Sequence, residues 1–156
     1  MRPLAALLLA VAAGCSGNGA VNPLGAGGTG GGGGIGGGGG TGPDPSFQPF
    51  PPCESAASYV TGRTSIVFGG GLGDNYDPPC LEVPVGATVT FSGDFGSHPL
   101  SPSTARGTLA ANPITITSAG STASFTFAGA GFWAYTCTVH GSDYDGQGMT
   151  GVVWAR

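Results

Sequence analysis

His98, Cys137, His140 and Met149 are the side chains whose types and spacing can do chemistry in this chain. Cys137 and His140 frame a Cys-x-x-His step, Met149 follows in a Gly-rich stretch, and His98 lies well upstream. Two imidazoles, one thiolate and one thioether are the donors of a mononuclear copper site that passes single electrons, with two His and one Cys in a trigonal plane and a weak axial Met. The chain has only two His, and Met149 is its only Met once a leader carrying Met1 is removed. Taken singly these residues mean little: a lone loop His is ordinarily a surface residue, and a Cys at a strand end a small hydrophobe. A Cys-x-x-His pair is also half of a structural zinc site, although zinc sites rarely use Met. Jointly, one copper ion is the expected cofactor, with zinc or a metal-free relic as the alternatives.

The elements that must position these donors read as strands. No stretch shows the 3.6-residue period of an amphipathic helix. Seven segments have strand character: residues 59–68, 81–84, 87–92, 114–117, 122–127, 131–137 and 149–155. Several alternate cleanly, as with Val89 and Phe91 against Thr88 and Thr90, or Trp133, Tyr135 and Cys137 against Ala134 and Thr136. Period two, interrupted by Gly- and Pro-rich turns, predicts half-buried antiparallel sheets, and about seven strands predict an all-β sandwich. Residues 47–156 suit one domain.

The remaining cysteines fall to covalent roles. Cys53 and Cys80 each follow a Pro-Pro pair, and an oxidising compartment permits a disulfide between them. Cys53, Cys80 and Cys137 allow three pairings, so spacing alone does not choose. Assigning Cys137 to the metal favours Cys53–Cys80. Export is expected from the amino terminus: Met1-Arg2, then apolar residues 4–13, then Gly14-Cys15. Ten apolar residues are too few for a membrane span, which needs ~20. Residues 1–14 read as a signal peptide. Ala12-Ala13-Gly14-Cys15 resembles a lipobox, without the usual Leu, so Cys15 is the expected lipid anchor. Ordinary cleavage nearby is the alternative.

Residues 15–46 read as a flexible linker. From Ser16 to Ser46 there are 16 Gly and one charge, Asp44. Such a segment has too little apolar surface to offset its ordering entropy, and it would reach ~30 Å as a coil. Composition also excludes functions. The chain has four Arg, no Lys and eight acidic residues, a formal charge of −4. Phosphate binding needs a basic stripe, so no nucleic-acid partner is expected, and a Walker loop lacks its Lys. Two His cannot furnish a multi-copper centre, so an oxidase or reductase is not expected either.

Tyr135-Thr136-Cys137-Thr138-Val139-His140 and Gly148-Met149-Thr150-Gly151-Val152-Val153 resemble the C-terminal copper motif of the cupredoxins, in their plastocyanin/pseudoazurin branch. Val83-Pro84-Val85-Gly86-Ala87-Thr88-Val89-Thr90-Phe91, with His98, resembles that family's strand and first-ligand loop. The likeness covers residues 60–155. It implies a Greek-key sandwich holding one type 1 (blue) copper ion through His98, Cys137, His140 and Met149. It also implies that His140 reaches the surface in an apolar patch, for which Leu100, Val139 and Phe95 are candidates.

Two departures stand out. The family usually has about two to four residues between its second His and the Met, whereas residues 141–148 intervene here. The extra residues 142–145 are expected to bulge beside the metal, and Gln147 becomes an alternative axial ligand. Pro99 stands where the family commonly has an Asn whose N–H donates to the Cys sulfur, and Pro has no N–H. Asp143 and Asp145 read as a solvated loop. The expected function is a non-enzymatic, monomeric electron carrier, lipid-anchored at a bacterial membrane on the periplasmic or cell-surface side. Its partners would be exported or membrane redox proteins. The alternative is a copper-handling module for storage, delivery or sensing.

Overall fold

The structure, a computed structural model, describes residues 47–109 and 111–156. The signal peptide, Cys15 and the linker lie outside the described residues. Eight strands form: β1 (Ser65–Phe68), β2 (Tyr76–Asp77), β3 (Cys80–Val83), β4 (Thr88–Ser92), β5 (Leu100–Pro102), β6 (Thr122–Thr126), β7 (Gly131–Gly141) and β8 (Gly148–Ala155). They make two four-stranded sheets, ordered β2-β1-β4-β6 and β3-β8-β7-β5. This is the all-β sandwich expected. Among the described residues no helix is long and apolar enough to cross a membrane.

β4 shows why these residues form strands. Its Val89 and Phe91 are fully buried, while Thr88 and Thr90 face outward. Thr88 and Thr90 hydroxyls bond across to Thr126 and Ser124, each at 2.8 Å. Such β-branched and hydroxyl pairs are the unit of cross-strand stabilisation. Inward-facing residues of both sheets build the main core, including Ile66, Leu81, Phe91, Phe95, Leu100, Tyr135, Cys137 and Met149.

The sheets are mixed rather than antiparallel. β1 runs parallel to β4, and β3 parallel to β8. Between β1 and β4 the chain passes through β3 in the opposite sheet, so it returns in the direction in which it left. The second sheet is also buried on both faces at its centre. Phe132, Ala134, Val152 and Trp154 form a second cluster with Tyr59 and the Cys53–Cys80 disulfide, against which Phe47 and Phe50 pack. Thr136, on the outward set of β7, is buried as well.

Three sequence expectations change. Of residues 59–68 only Ser65–Phe68 is a strand: Gly62, at φ +73°, breaks the run, and Val60 makes one isolated bridge to Leu81. Residues 114–117 supply a single bridge, Thr117 to Leu100, since Asn112 Oδ1 takes the Ile114 N–H away from any ladder. β2 and β5 had too little pattern to be seen, being two residues before Pro78 and three that include Pro102.

Candidate metal centre

His98 is presented by a tight turn. Asp94 accepts hydrogen bonds from the Gly96 N–H (2.9 Å) and the Ser97 hydroxyl (2.7 Å), and its carbonyl accepts from the His98 N–H (3.0 Å). The Ser97 hydroxyl and then the Gly96 N–H hold the Asp94 carboxyl below its ordinary range. Phe95, fully buried, roots this turn in the core. Beyond it, the Thr138 N–H donates to the Pro99 carbonyl at 3.0 Å, tying the His98 loop to the residue after Cys137.

Cys137, His140 and Met149 share one irregularity. In the β7–β8 ladder Thr136 pairs with Thr150 and Gly141 with Gly148. Residues 137–140 therefore lie opposite Met149 alone. Extra residues on one strand re-aim side chains, as bulges do beside active sites. Gly141 is needed where the ladder closes again, because a Cβ there would run into the Met149 carbonyl and the Thr136 hydroxyl.

The outcome is a compact donor set. His98, Cys137 and His140 place one ligand atom each within 4.8 Å of the others. His98 Nδ1 is 3.1 Å from His140 Nδ1, and Cys137 Sγ is 3.6 Å from His140 Nδ1. Nitrogens bound to one first-row ion at ~2.0–2.1 Å stand ~3.1–3.6 Å apart for angles of ~100–120°. The N···N separation fits such an ion, and the N···S separation suits the longer metal–sulfur bond. Two imidazoles and a thiol are donors for copper and zinc, not for hard cations. Among the described residues the one polar contact of Cys137 Sγ is His140, so no backbone N–H reaches the sulfur.

Burial grades the site. Cys137 and Met149 are fully buried in the main core. The His98 side chain is 12% exposed and that of His140 31%. The structure brings three of the four expected ligands together by their donor atoms and buries the fourth, Met149, across the ladder. Gln147 is exposed at the hairpin tip. Around His140, Val139 is exposed at the surface as expected, but Leu100 and Phe95 are wholly buried core residues. Leu100 pairs with Cys137 across β5–β7, which turns its side chain inward.

The extra residues 142–145 are not the irregularity at the donors, which falls at residues 137–140. They continue the hairpin beyond the Gly141–Gly148 pair, closed by Ser142 N–H to the Gln147 carbonyl (2.9 Å) and Gly146 N–H to the Ser142 carbonyl (3.1 Å). Nor is Asp143 simply solvated. It accepts from the Thr104 N–H (2.7 Å) and hydroxyl (2.8 Å), and its carbonyl accepts from Arg106 Nε (2.8 Å). Burial opposes Asp143 ionisation, but hydrogen bonds from Ser103 and Thr104 and the Arg106 charge outweigh it and hold its carboxyl below the usual range. Arg106 also donates to the Pro51 carbonyl. Asp145, by contrast, is exposed and bonds the Gln147 N–H at 3.1 Å.

Sequence reasoning missed Asp74, Arg106 and the Asp94 turn. The Asp-x-x-Ser spacing ahead of His98 carried a readable turn signal. Nothing in the pattern marks Asp74, whose Oδ1 lies 3.9 Å from His98 Nδ1 and 3.8 Å from His140 Nδ1.

Fold and cluster together define a β-sandwich whose two imidazole nitrogens and one thiol sulfur are held between the β4–β5 connection, which crosses from one sheet to the other, and the β7–β8 hairpin. Among solved structures, the chain is similar to a copper-containing nitrite reductase from Thermus scotoductus SA-01, with 19% identity and a TM-score of 0.44. That match covers 65% of this chain and 29% of the reductase, so the chain spans less than a third of its length. The chain is also similar to amicyanin, in an oxidised variant (24% identity, TM-score 0.41) and a reduced Cu(I) variant (24%, 0.40). Each amicyanin match covers 72% of this chain and 95% of the other. No protein-family profile matches the chain, and no curated protein sequence matches it.

Proposed function

We propose that this chain is a one-electron carrier of the cupredoxin class, plastocyanin/pseudoazurin-like, with a single type 1 copper site. His98, Cys137, His140 and Met149 would hold the ion. The observation that carries this reading is the convergence of two imidazole Nδ1 atoms and one thiol sulfur beside a buried Met. Bound there, copper would supply one-electron chemistry by alternating between Cu(I) and Cu(II).

The protein's share is to hold the donors still. Cys137 and Met149 lie on a hairpin ladder locked on both sides of the bulge, and His98 on a turn bonded to that hairpin. Such a frame changes little when an electron moves. Full burial of Cys137 and Met149 keeps water from the sulfur donors, and His140, the more exposed imidazole, gives the electron its way out. Burial of both sulfurs also weighs against copper handling, which needs ligands that exchange readily. Export, acylation of Cys15 at a bacterial membrane, the 15–46 tether and exported or membrane redox partners complete the proposal. It assigns no enzymatic activity.

The test is the visible spectrum of the Cu(II)-loaded protein beside Cys137→Ser. An intense thiolate-to-copper band that the variant loses is expected. A colourless protein that still binds copper would overturn the carrier.

A further inference from the structure

Asp74 belongs to the connection between β1 and β2, an element that contributes none of the four expected ligands. That connection is laid against His98. A Cβ built on Gly69 would stand 3.2 Å from His98 Cδ2, and the Phe68 ring meets the imidazole edge-on with centroids 6.2 Å apart. Residues 69–73 form a tight 3-10 turn, closed by Leu72 N–H to the Gly69 carbonyl and Gly73 N–H to the Gly70 carbonyl. Asn75 Nδ2 then donates to the Leu72 carbonyl at 3.0 Å. Held by this turn, Asp74 Oδ1 is almost equidistant from the two imidazole donor atoms, 3.9 Å from His98 Nδ1 and 3.8 Å from His140 Nδ1.

The separations are too long for hydrogen bonds. They place a carboxylate beside the gap between the nitrogens rather than on either ring. We infer that Asp74 is an anionic neighbour of the metal site that favours a divalent over a monovalent ion. The inference rests on the metal-site reading above. With the Cys137 thiolate, Asp74 brings two negative charges to the site: a divalent ion neutralises both, whereas a monovalent ion leaves one in a half-buried setting. Asp74 therefore stabilises the oxidised state more than the reduced one. The carboxylate is 60% exposed, so water screens it; its contribution to a divalent ion is about tenfold and the preference over a monovalent ion about threefold.

The test compares wild type, Asp74→Asn and Asp74→Glu by competition for Zn(II), Co(II) and Cu(I), and by the midpoint potential of the copper-loaded protein. In Asp74→Asn, divalent affinity should fall about tenfold and Cu(I) affinity about threefold, since the same carboxylate attracts a monovalent ion half as strongly. The potential should rise by about 30 mV, the equivalent of about threefold for one electron. Asp74→Glu, which keeps the charge, should restore most of both. Unchanged divalent affinity in Asp74→Asn would overturn the inference. An equal loss for both charge types, or no rescue by Glu, would assign Asp74 to loop structure and overturn it as well. Failure of the copper reading would show separately, as a missing visible band with the Zn(II) and Co(II) comparison intact.

Discussion

Removing the charge of Asp143 should uncover how the extended hairpin tip is held. Among the described residues Arg106 is the only buried charged side chain. Its side chain is 5% exposed and that of Asp143 27%. The two charged groups stand 4.0 Å apart, at the edge of ion-pair range; breaking a fully buried pair costs ~3–5 kcal/mol, an upper bound here. Discounting for the exposed part of Asp143, Asp143→Asn should cost ~2–3 kcal/mol; Asn keeps the acceptor that Thr104 uses. For a domain of this size that is a drop of ~8–12 °C in Tm at neutral pH. Arg106→Met should cost a similar amount, and the double variant less than the sum, with a coupling of ~1.5 kcal/mol.

The pH dependence has a definite sign. Asp143 ionises more readily folded than unfolded. Its contribution is fully present above the unfolded value of ~4 and is lost as the pH falls through the lower folded value. Wild-type stability should therefore drop on acidification below about pH 4 by more than that of Asp143→Asn. Thermal unfolding followed by circular dichroism across pH measures both effects. A Tm within about 2 °C of wild type at pH 7, with the same acid slope, would refute the reasoning. Under the proposed function the visible band should persist in Asp143→Asn, since the donors lie inside the closed ladder.

Three further outcomes are expected. Under the proposed function, Pro99→Asn restores the N–H that the family resemblance aims at the Cys137 sulfur; a charge-assisted hydrogen bond of ~1.4 kcal/mol would raise the midpoint potential by ~60 mV in voltammetry, and a fall would contradict it. Gly141→Ala forces a methyl against the Met149 carbonyl and the Thr136 hydroxyl, so it should cost ~2–3 kcal/mol and weaken copper binding in a competition titration. Replacing Cys53 and Cys80 by Ser opens a loop of 27 residues and should lower stability by ~3.5 kcal/mol in chemical denaturation, without loss of the visible band.

The sequence carried most of the strand pattern because alternation follows directly from one-sided burial. Val89 and Phe91 alternate against Thr88 and Thr90 for that reason, and β4 appeared where expected. The same logic hid the second cluster. Ala134 looks like an outward residue, and its burial depends on Phe47, Phe50, Tyr59 and the disulfide arriving from far along the chain. Parallel pairing of β1 with β4 left no local trace, since it depends on where the chain crosses between sheets. At the site, donor chemistry was legible in residue types: few side chains can bind soft metals, and nearly all of them converge. Asp74 was not, since a carboxylate after a Gly-rich turn is ordinary in sequence and only the fold sets it beside both imidazoles. Arg106 and Asp143 were invisible for the same reason, being brought together across 37 positions.

The Gly141–Gly148 pair has a consequence for how this hairpin can vary. It is a clasp: bulge and donors lie on one side of it, residues 142–147 on the other. Length can change at the tip without being passed inward only where the contacts the tip makes are kept: Asp143 on Thr104 and Arg106, and the Gly146 carbonyl on the buried Thr150 hydroxyl. A tip lengthened by a peptide insert that keeps these contacts would alter the surface presented near His140 while the donor spacing stayed as it is. Partner choice and redox chemistry could then diverge independently within one hairpin.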